Sequence, residues 1–308
     1  MALVYKADPA RGAEWQALLA AKAPELAFHV WPETGDAAAV RYLATWVPPD
    51  DIMQRFPNLE LVISTGAGVD QFDLSTLPKR LPLVRMLDPG IVDGMVEYVT
   101  LGVLALHRHL PDYAIAKAEQ RWVPIRLVPA AKRRIGVLGC GQLGEAVCRR
   151  LAAFGFAIAA WNRSPREVDG VDVFSSAAQL PAFLARTDIL VCLLPLTTET
   201  QGILDARLLG QLPKGAGLVN AGRGGHLVQD DLRFALDSGQ LSGAVLDVTD
   251  PEPLPSGHWL WSHPRVILTP HVASMTQPDT AVAFVLETIA RHRQGLPLRG
   301  LVDRTRGY

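Results

Sequence analysis

The stretch over residues 134–164, RIGVLGCGQLGEAVCRRLAAFGFAIAAWNRS, constrains this chain more than any other. An apolar run at Ile135, Val137 and Leu138 leads straight into Gly139, Gly141 and Gly144 at GxGxxG spacing. Leu143, Ala146, Val147 and Leu151 then recur at helical intervals until Gly155 stops them, and a second apolar run follows over residues 156–161. The pattern predicts strand, tight turn, helix and strand. Gly139 allows the turn, Gly141 lets backbone approach a pyrophosphate with no Cβ in the way, and Gly144 lets the helix lie close on the strand. The glycine spacing alone fits an ordinary tight turn equally well. The flanking strand and helix, and a second strand ending about 20 residues after the turn where a ribose is read, favour a dinucleotide site.

At 308 residues the chain exceeds the usual size of one domain, so two domains of about 100–200 residues are expected. Hydrophobic residues at 49% and charged residues at 20% describe a water-soluble globular protein. A net charge of −1 offers no basic field for nucleic acid and no polybasic segment for lipid, which leaves small-molecule chemistry. Cys140, Cys148 and Cys192 have neither the number nor the spacing of a disulfide framework or a zinc site; they read as buried thiols, and no metal is expected. The N-terminal MALVYKADPARG has no charged region followed by an apolar core, and no apolar run reaches the roughly 18 residues of a membrane span. A cytoplasmic protein with no membrane partner is expected.

Along residues 3–85 the runs LVY, LAFHV, YLATW, LELVIS and LPLVRM read as strands, with a crossover helix over residues 11–22 that places Trp15, Leu18 and Leu19 at helical spacing. This alternation implies a parallel sheet. The loop over residues 64–70 reads either as a plain turn or as backbone N–H groups offered to a carboxylate, and Trp46 either as core or as a pocket wall. A long helix over residues 93–110, a second helical stretch through Trp122 and a proline-punctuated arm ending at Lys132 present apolar surface that predicts a homodimer. Further strands are expected near residues 188–194, 217–220, 244–248 and 266–268, and helices near 205–211, 230–238 and 279–294. The predicted architecture is α/β, with two doubly wound parallel-sheet (Rossmann-like) domains and an active-site cleft between them. Residues 1–101 with 277–308 form the expected substrate domain, and residues 102–276 the dinucleotide-binding domain.

Three ionisable residues stand where strands of the second domain end: Arg223 in VNAGRGG, Glu252 in LDVTDPEPLP and His271 in VILTPHVAS. In a doubly wound sheet these carboxyl ends open on the edge that carries the Gly139 turn, so Arg, Glu and His are expected beside a nicotinamide.

The pattern resembles the D-2-hydroxyacid dehydrogenase family, from the TGAGVD loop through the glycine motif, CLLPLT, NAGRGG, DPEPLP and TPHVAS. The length, the Trp46-Val-Pro-Pro segment, the RMLDPG run and the C-terminal VDRTRGY look most like its glyoxylate/hydroxypyruvate reductase branch. The resemblance implies Arg223, Glu252 and His271 as catalytic residues. It implies cofactor contacts from Gly139, Gly141, Gln142, Leu143, Gly144, Asn162, Arg163, Ser164, Leu194, Pro195, Thr200, Ala221, Gly222 and Asp247. Substrate contacts are implied for Trp46, Ala67, Gly68, Arg223 and His271, and Trp122 is expected near a partner's site. Cys140 in the first variable slot of the glycine motif, and Thr249 where an aromatic is frequent, depart from the family pattern.

The residue types fit that chemistry independently of the name. Reducing a 2-oxo acid brings hydride to carbon while oxygen needs a proton, and His271 is the expected donor. Glu252 stabilises the imidazolium, and the planar guanidinium of Arg223 holds the substrate carboxylate. Asp247 reads as an acceptor for the nicotinamide amide by resemblance, or as a strand-end aspartate capping a turn. No acid ends the second strand of the glycine unit, where Trp161-Asn162-Arg163-Ser164 stands with Arg166 behind, so NADPH is expected over NADH, with NAD still possible. The other function class open to this fold is a nucleotide-sensing, corepressor-like interaction protein.

Overall fold

Twelve strands form two sheets in the computed structural model, which describes residues 1–308, and every pairing between them is parallel. The chain divides into two units, Met1–Ile91 with Met275–Tyr308, and Val92–Ser274.

The first unit runs β1 (Ala2–Lys6), α1 (Pro9–Lys22), β2 (Ala27–Val30), β3 (Val40–Thr45), α2 (Ile52–Arg55), β4 (Leu61–Ser64) and β5 (Leu83–Val84), with sheet order β2-β1-β3-β4-β5. Helix α1 starts where Asp8 accepts the Arg11 N–H at 2.9 Å and Pro9 presets the first turn, two independent signals of a helix start. Its Trp15 and Leu19 are buried, Trp15 against Tyr5 at 4.8 Å between centroids. The run expected as a strand at LPLVRM yields only two strand residues. Beyond them Arg85 turns its N–H to Gly300 O and Met86 turns to Gly66 O, so the chain leaves the ladder.

The second unit takes most of α3 (Pro89–His107) and then α4 (Leu110–Ala118), β6 (Arg134–Leu138), α5 (Gln142–Ala152), β7 (Ala157–Asn162), β8 (Asp172–Ser175), α6 (Ser176–Ala185), β9 (Ile189–Cys192), α7 (Ala206–Leu209), β10 (Ala216–Asn220), α8 (Gln229–Asp237), β11 (Leu241–Leu246) and β12 (Val266–Leu268). Helix α9 (Pro278–Arg293) belongs to the first unit, where it packs on α1. The seven-stranded order is β12-β11-β10-β9-β6-β7-β8, which reverses direction between β6 and β9. Strands β9 and β10 are buried along their whole length, as a parallel sheet covered on both faces requires.

The division between units falls at 91/92 and 274/275, ten and two residues before the boundaries expected from sequence. Packing explains the shift. Met95, Val99, Val103 and Leu106 of α3 are buried with Ile135, Val137, Val191, Val219 and Val245, each such side chain contributing about 1.5–3 kcal/mol, so nearly the whole helix belongs to the second core. Helix α3 begins at Pro89 rather than Asp93 because Asp88 accepts the Gly90 N–H at 2.9 Å and proline suits the first helical position. This 19-residue helix is long and apolar enough to cross a membrane by composition, yet its buried face is core. Helix α4 stops at Ala118, short of Trp122, where Gln120 takes a left-handed φ of 54°. The β8–α6 pair was not anticipated: β8 is a short, partly exposed edge strand with polar ends, and α6 carries Pro181 inside it.

Candidate active site

The reversal of strand order between β6 and β9 opens a crevice at their carboxyl ends, where doubly wound sheets bind ligands. The glycine-rich turn occupies it. Gly139 has φ +95°, and a Cβ there would lie 2.7 Å from Leu193 O in the loop after β9. A Cβ on Gly144 would lie 1.9 Å from Gly139 O, so α5 reaches its turn only with glycine at this position. A Cβ on Gly141 would meet nothing within 4 Å; the residue is exposed, and the space above its backbone is open to a ligand. Gln142 and Leu143 begin α5, whose first turn points its N–H groups toward that space. The donor set fits a dinucleotide pyrophosphate.

After β7, Asn162 turns its amide onto Ser164 O at 2.9 Å, Arg163 and Ser164 are exposed, and Arg166 is drawn onto Glu145, which also takes Arg149 at 2.7 Å. After β9, Leu194 is buried, and the Thr200 hydroxyl donates to Pro195 O at 2.7 Å while accepting the Thr197 N–H at 2.8 Å. The Thr200 proton is thus spent on bracing its own loop.

Neighbouring strands β10, β11 and β12 deliver the three ionisable residues in the order Arg, Glu, His. Arg223 follows β10 on a loop held by two residues that sequence reasoning did not single out. Fully buried Asn220 accepts the Gly222 N–H at 3.2 Å and donates to Arg223 O at 3.1 Å. Buried His226 accepts the Arg223 N–H on Nδ1 at 3.0 Å, which requires the neutral ring with its proton on Nε2. Ala221 and Gly222 are buried in the same loop, and the Arg223 guanidinium donates to Gly222 O at 2.9 Å. A Cβ on Gly224 would lie 1.9 Å from Thr249 O, so the Arg223 loop stacks backbone on backbone against the loop that carries Glu252.

Glu252 accepts the Thr249 N–H on Oε1 at 3.0 Å and meets His271 Nδ1 through Oε2 at 2.8 Å. Burial pushes its carboxyl pKa up, but the His271 and Thr249 hydrogen bonds and the charges of His271 and Arg223 outweigh burial and hold it below the ordinary carboxylate value. His271 itself sits at φ 56°, a left-handed conformation that side chains other than glycine seldom adopt. Asp247, at the end of β11 and 2% exposed, takes the turn-capping role: its carboxylate accepts from Thr269 Oγ1 at 2.7 Å, Val272 N at 2.8 Å and Ala273 N at 2.7 Å. Its carbonyl accepts the His271 N–H at 2.7 Å.

In the first unit, Trp46 follows β3 with its indole against Gly66, where a Cβ would come within 2.4 Å of the ring; Ala67 and Gly68 stand partly exposed after β4. Ser64 Oγ accepts the Gly66 N–H at 3.2 Å and donates to Gly68 O at 3.1 Å, which fixes the loop. Cys140, Cys148 and Cys192 are free and buried, and no group of three or more His, Cys, Asp or Glu residues is arranged to hold a metal ion.

A glycine-rich turn at a switch point, with a paired histidine and carboxylate on the same sheet edge, defines a nucleotide-dependent dehydrogenase type of fold. The family model described as D-isomer specific 2-hydroxyacid dehydrogenase, NAD binding domain, matches residues 100–273. Glyoxylate/hydroxypyruvate reductase A of Yersinia enterocolitica is 39% identical over 96% of both chains, and that of Serratia proteamaculans 40% identical over the same shares. A D-isomer specific 2-hydroxyacid dehydrogenase from Xanthobacter autotrophicus, solved with NADPH and MES, superposes with TM-score 0.94 at 40% identity, covering 100% of this chain and 99% of that one. The NADPH-dependent glyoxylate/hydroxypyruvate reductase of Sinorhizobium meliloti, solved with NADP and sulfate, gives TM-score 0.92 at 37% identity with the same coverage. The chain belongs to the D-isomer specific 2-hydroxyacid dehydrogenase family.

Proposed function

We propose that this protein reduces the small 2-oxo acids glyoxylate and hydroxypyruvate to 2-hydroxy acids with NADPH. The observation that carries the reading is the 2.8 Å contact of His271 Nδ1 with Glu252, on the sheet edge that also bears Arg223 and the glycine-rich turn. Relatives named glyoxylate/hydroxypyruvate reductase over 96% of their length, and neighbours solved with NADPH or NADP, support it. When bound, the dihydronicotinamide supplies the hydride. His271, with Nδ1 on Glu252, donates a proton from Nε2 to the carbonyl oxygen. Glu252 fixes the ring and stabilises the imidazolium, and Arg223 forks onto the substrate carboxylate and polarises the carbonyl. In this reading Ala67 and Gly68 offer N–H groups to the carboxylate and Trp46 limits substrate size. Purified protein should oxidise NADPH on addition of either acid. Retained NADPH binding with no turnover of either acid would leave the nucleotide-sensing role as the better reading.

The residues that would hold the cofactor are Gly139, Gly141, Gln142, Leu143 and Gly144 at the pyrophosphate, Asn162, Arg163 and Ser164 at the adenosine ribose, and Leu194, Pro195, Thr200, Ala221, Gly222 and Asp247 toward the nicotinamide. Arg163, exposed in the loop after β7 between Asn162 and Ser164, is the cation for a 2′-phosphate. Arg163→Ala should weaken NADPH by about 1.5–3 kcal/mol, the scale of a hydrogen bond to a charged group, and leave NADH nearly unchanged. Comparing kcat/KM for both cofactors checks this, and a wild-type preference for NADH would refute it.

The same reading includes a homodimer and a cytoplasmic setting. Trp122 is 99% exposed, and Leu101, Leu110, Tyr113, Val123 and Leu127 are exposed on α3, α4 and the arm that follows, more apolar surface than a monomer usually presents. Sedimentation at micromolar concentration should give a dimer, and Trp122→Glu should shift it toward monomer; a monomeric wild type with full activity would end the idea. Three free, buried thiols suit a reducing compartment.

A further inference from the structure

Asp247 is itself held from behind. Thr269 Oγ1 lies 2.7 Å from Asp247 Oδ1 and 2.6 Å from the hydroxyl of Tyr98 on α3. A carboxylate that already takes two backbone N–H groups can only accept, so the single Thr269 proton goes to Asp247. The proton in the second contact therefore comes from Tyr98. The order is Tyr98 to Thr269 to Asp247, and from Asp247 to the N–H groups of Val272 and Ala273. Burial pushes the Tyr98 phenol up to about 12, against the opposing effect of its Thr269 bond and helped by the Asp247 charge, so Tyr98 stays a donor at any working pH.

The chain of hydroxyls ends on the turn that sets His271. A non-glycine residue at φ 56° is strained and persists only where its surroundings over-determine it. Asp247 supplies that constraint: its carbonyl takes the His271 N–H and its carboxylate takes the next two. A carboxylate free to rotate would release those two N–H groups together and let the ring drift from Glu252. We infer that Tyr98 and Thr269 are positioning residues for His271, acting through Asp247. The inference rests on His271 being the proton donor.

Steady-state kinetics with NADPH and glyoxylate test it. Tyr98→Phe should lower kcat about fivefold to tenfold, the change one hydrogen bond converts into, with the KM for NADPH within about twofold of wild type. Thr269→Val, which cuts both links, should lower kcat more than Tyr98→Phe, whereas Thr269→Ser, which keeps the hydroxyl, should recover most of the wild-type rate. Unchanged kcat in both Tyr98→Phe and Thr269→Val overturns the inference. So does a loss confined to the KM for NADPH, which would make Tyr98 and Thr269 supports of cofactor binding rather than of His271, and so does a Thr269→Ser variant as slow as Thr269→Val. Full rate in His271→Ala would remove the assignment of the donor itself, a failure separable from the other three.

Discussion

Replacing His271 by Ala should lower kcat for glyoxylate reduction by at least about 10²-fold, the lower end of what a positioned general acid contributes. The expectation follows from geometry: Nδ1 is committed to Glu252 at 2.8 Å, the backbone is at φ 56°, and Asp247 holds the turn that follows. Water in the vacated space would have to donate without the imidazolium charge. NADPH binding, followed separately by fluorescence, should change little, so the loss appears in kcat. Glu252→Gln is the informative comparison, because it keeps a hydrogen-bonding partner but removes the charge that favours the imidazolium, and the optimum should move to lower pH. The native pair should survive acid well. With the Glu252 pKa depressed in the folded state, its contribution to stability is full above the ordinary 4.5 and is lost only as pH falls through the lower folded value. A full-rate His271→Ala enzyme at neutral pH would sink the mechanism.

How much of this was legible in the chain depended on whether a residue's role lies in its own chemistry or in its neighbours. Gly139 and Gly144 announce themselves, because no other residue tolerates φ +95° or a backbone oxygen 1.9 Å from its Cβ position. Strands β9 and β10 are apolar throughout because both faces are covered, so they stand out as runs. Strand β8 does not, since an exposed edge needs no apolar signature, and Pro181 disguises the helix after it. Arg223, Glu252 and His271 were visible as ionisable residues in glycine- or proline-containing loops after strands. Asn220, His226, Tyr98 and Thr269 were not. Asn220 and His226 act by hydrogen bonds inside the Arg223 loop that depend on its backbone path, and Tyr98 and Thr269, 171 residues apart in sequence, meet only once separate elements lie side by side. Asp247 was legible as important, because an aspartate at a strand end suits a ligand or a turn equally, but the turn it caps through Val272 and Ala273 becomes visible only in the fold.

Arg223→Ala should cost at least about 10²-fold in kcat/KM for glyoxylate, the scale of removing a preorganised charge partner of the transition state. The loop is built so that this truncation removes the guanidinium with its bond to Gly222 O and leaves the other loop contacts in place. Asn220 holds Gly222 N and Arg223 O, His226 holds Arg223 N, and Gly224 is stacked against the Thr249 backbone, all through groups that alanine at position 223 leaves in place. The lost rate is therefore the side chain's own. A guanidinium that binds the carboxylate in the ground state and polarises the carbonyl in the transition state should raise KM and lower kcat together. Arg223→Lys should recover only part, since an ammonium restores the charge but not the planar fork that matches a carboxylate. Added guanidinium ion should partly restore the alanine variant and leave the wild type unaffected. An alanine variant with wild-type kcat/KM would show that the loop, rather than the arginine it presents, is what the reaction needs.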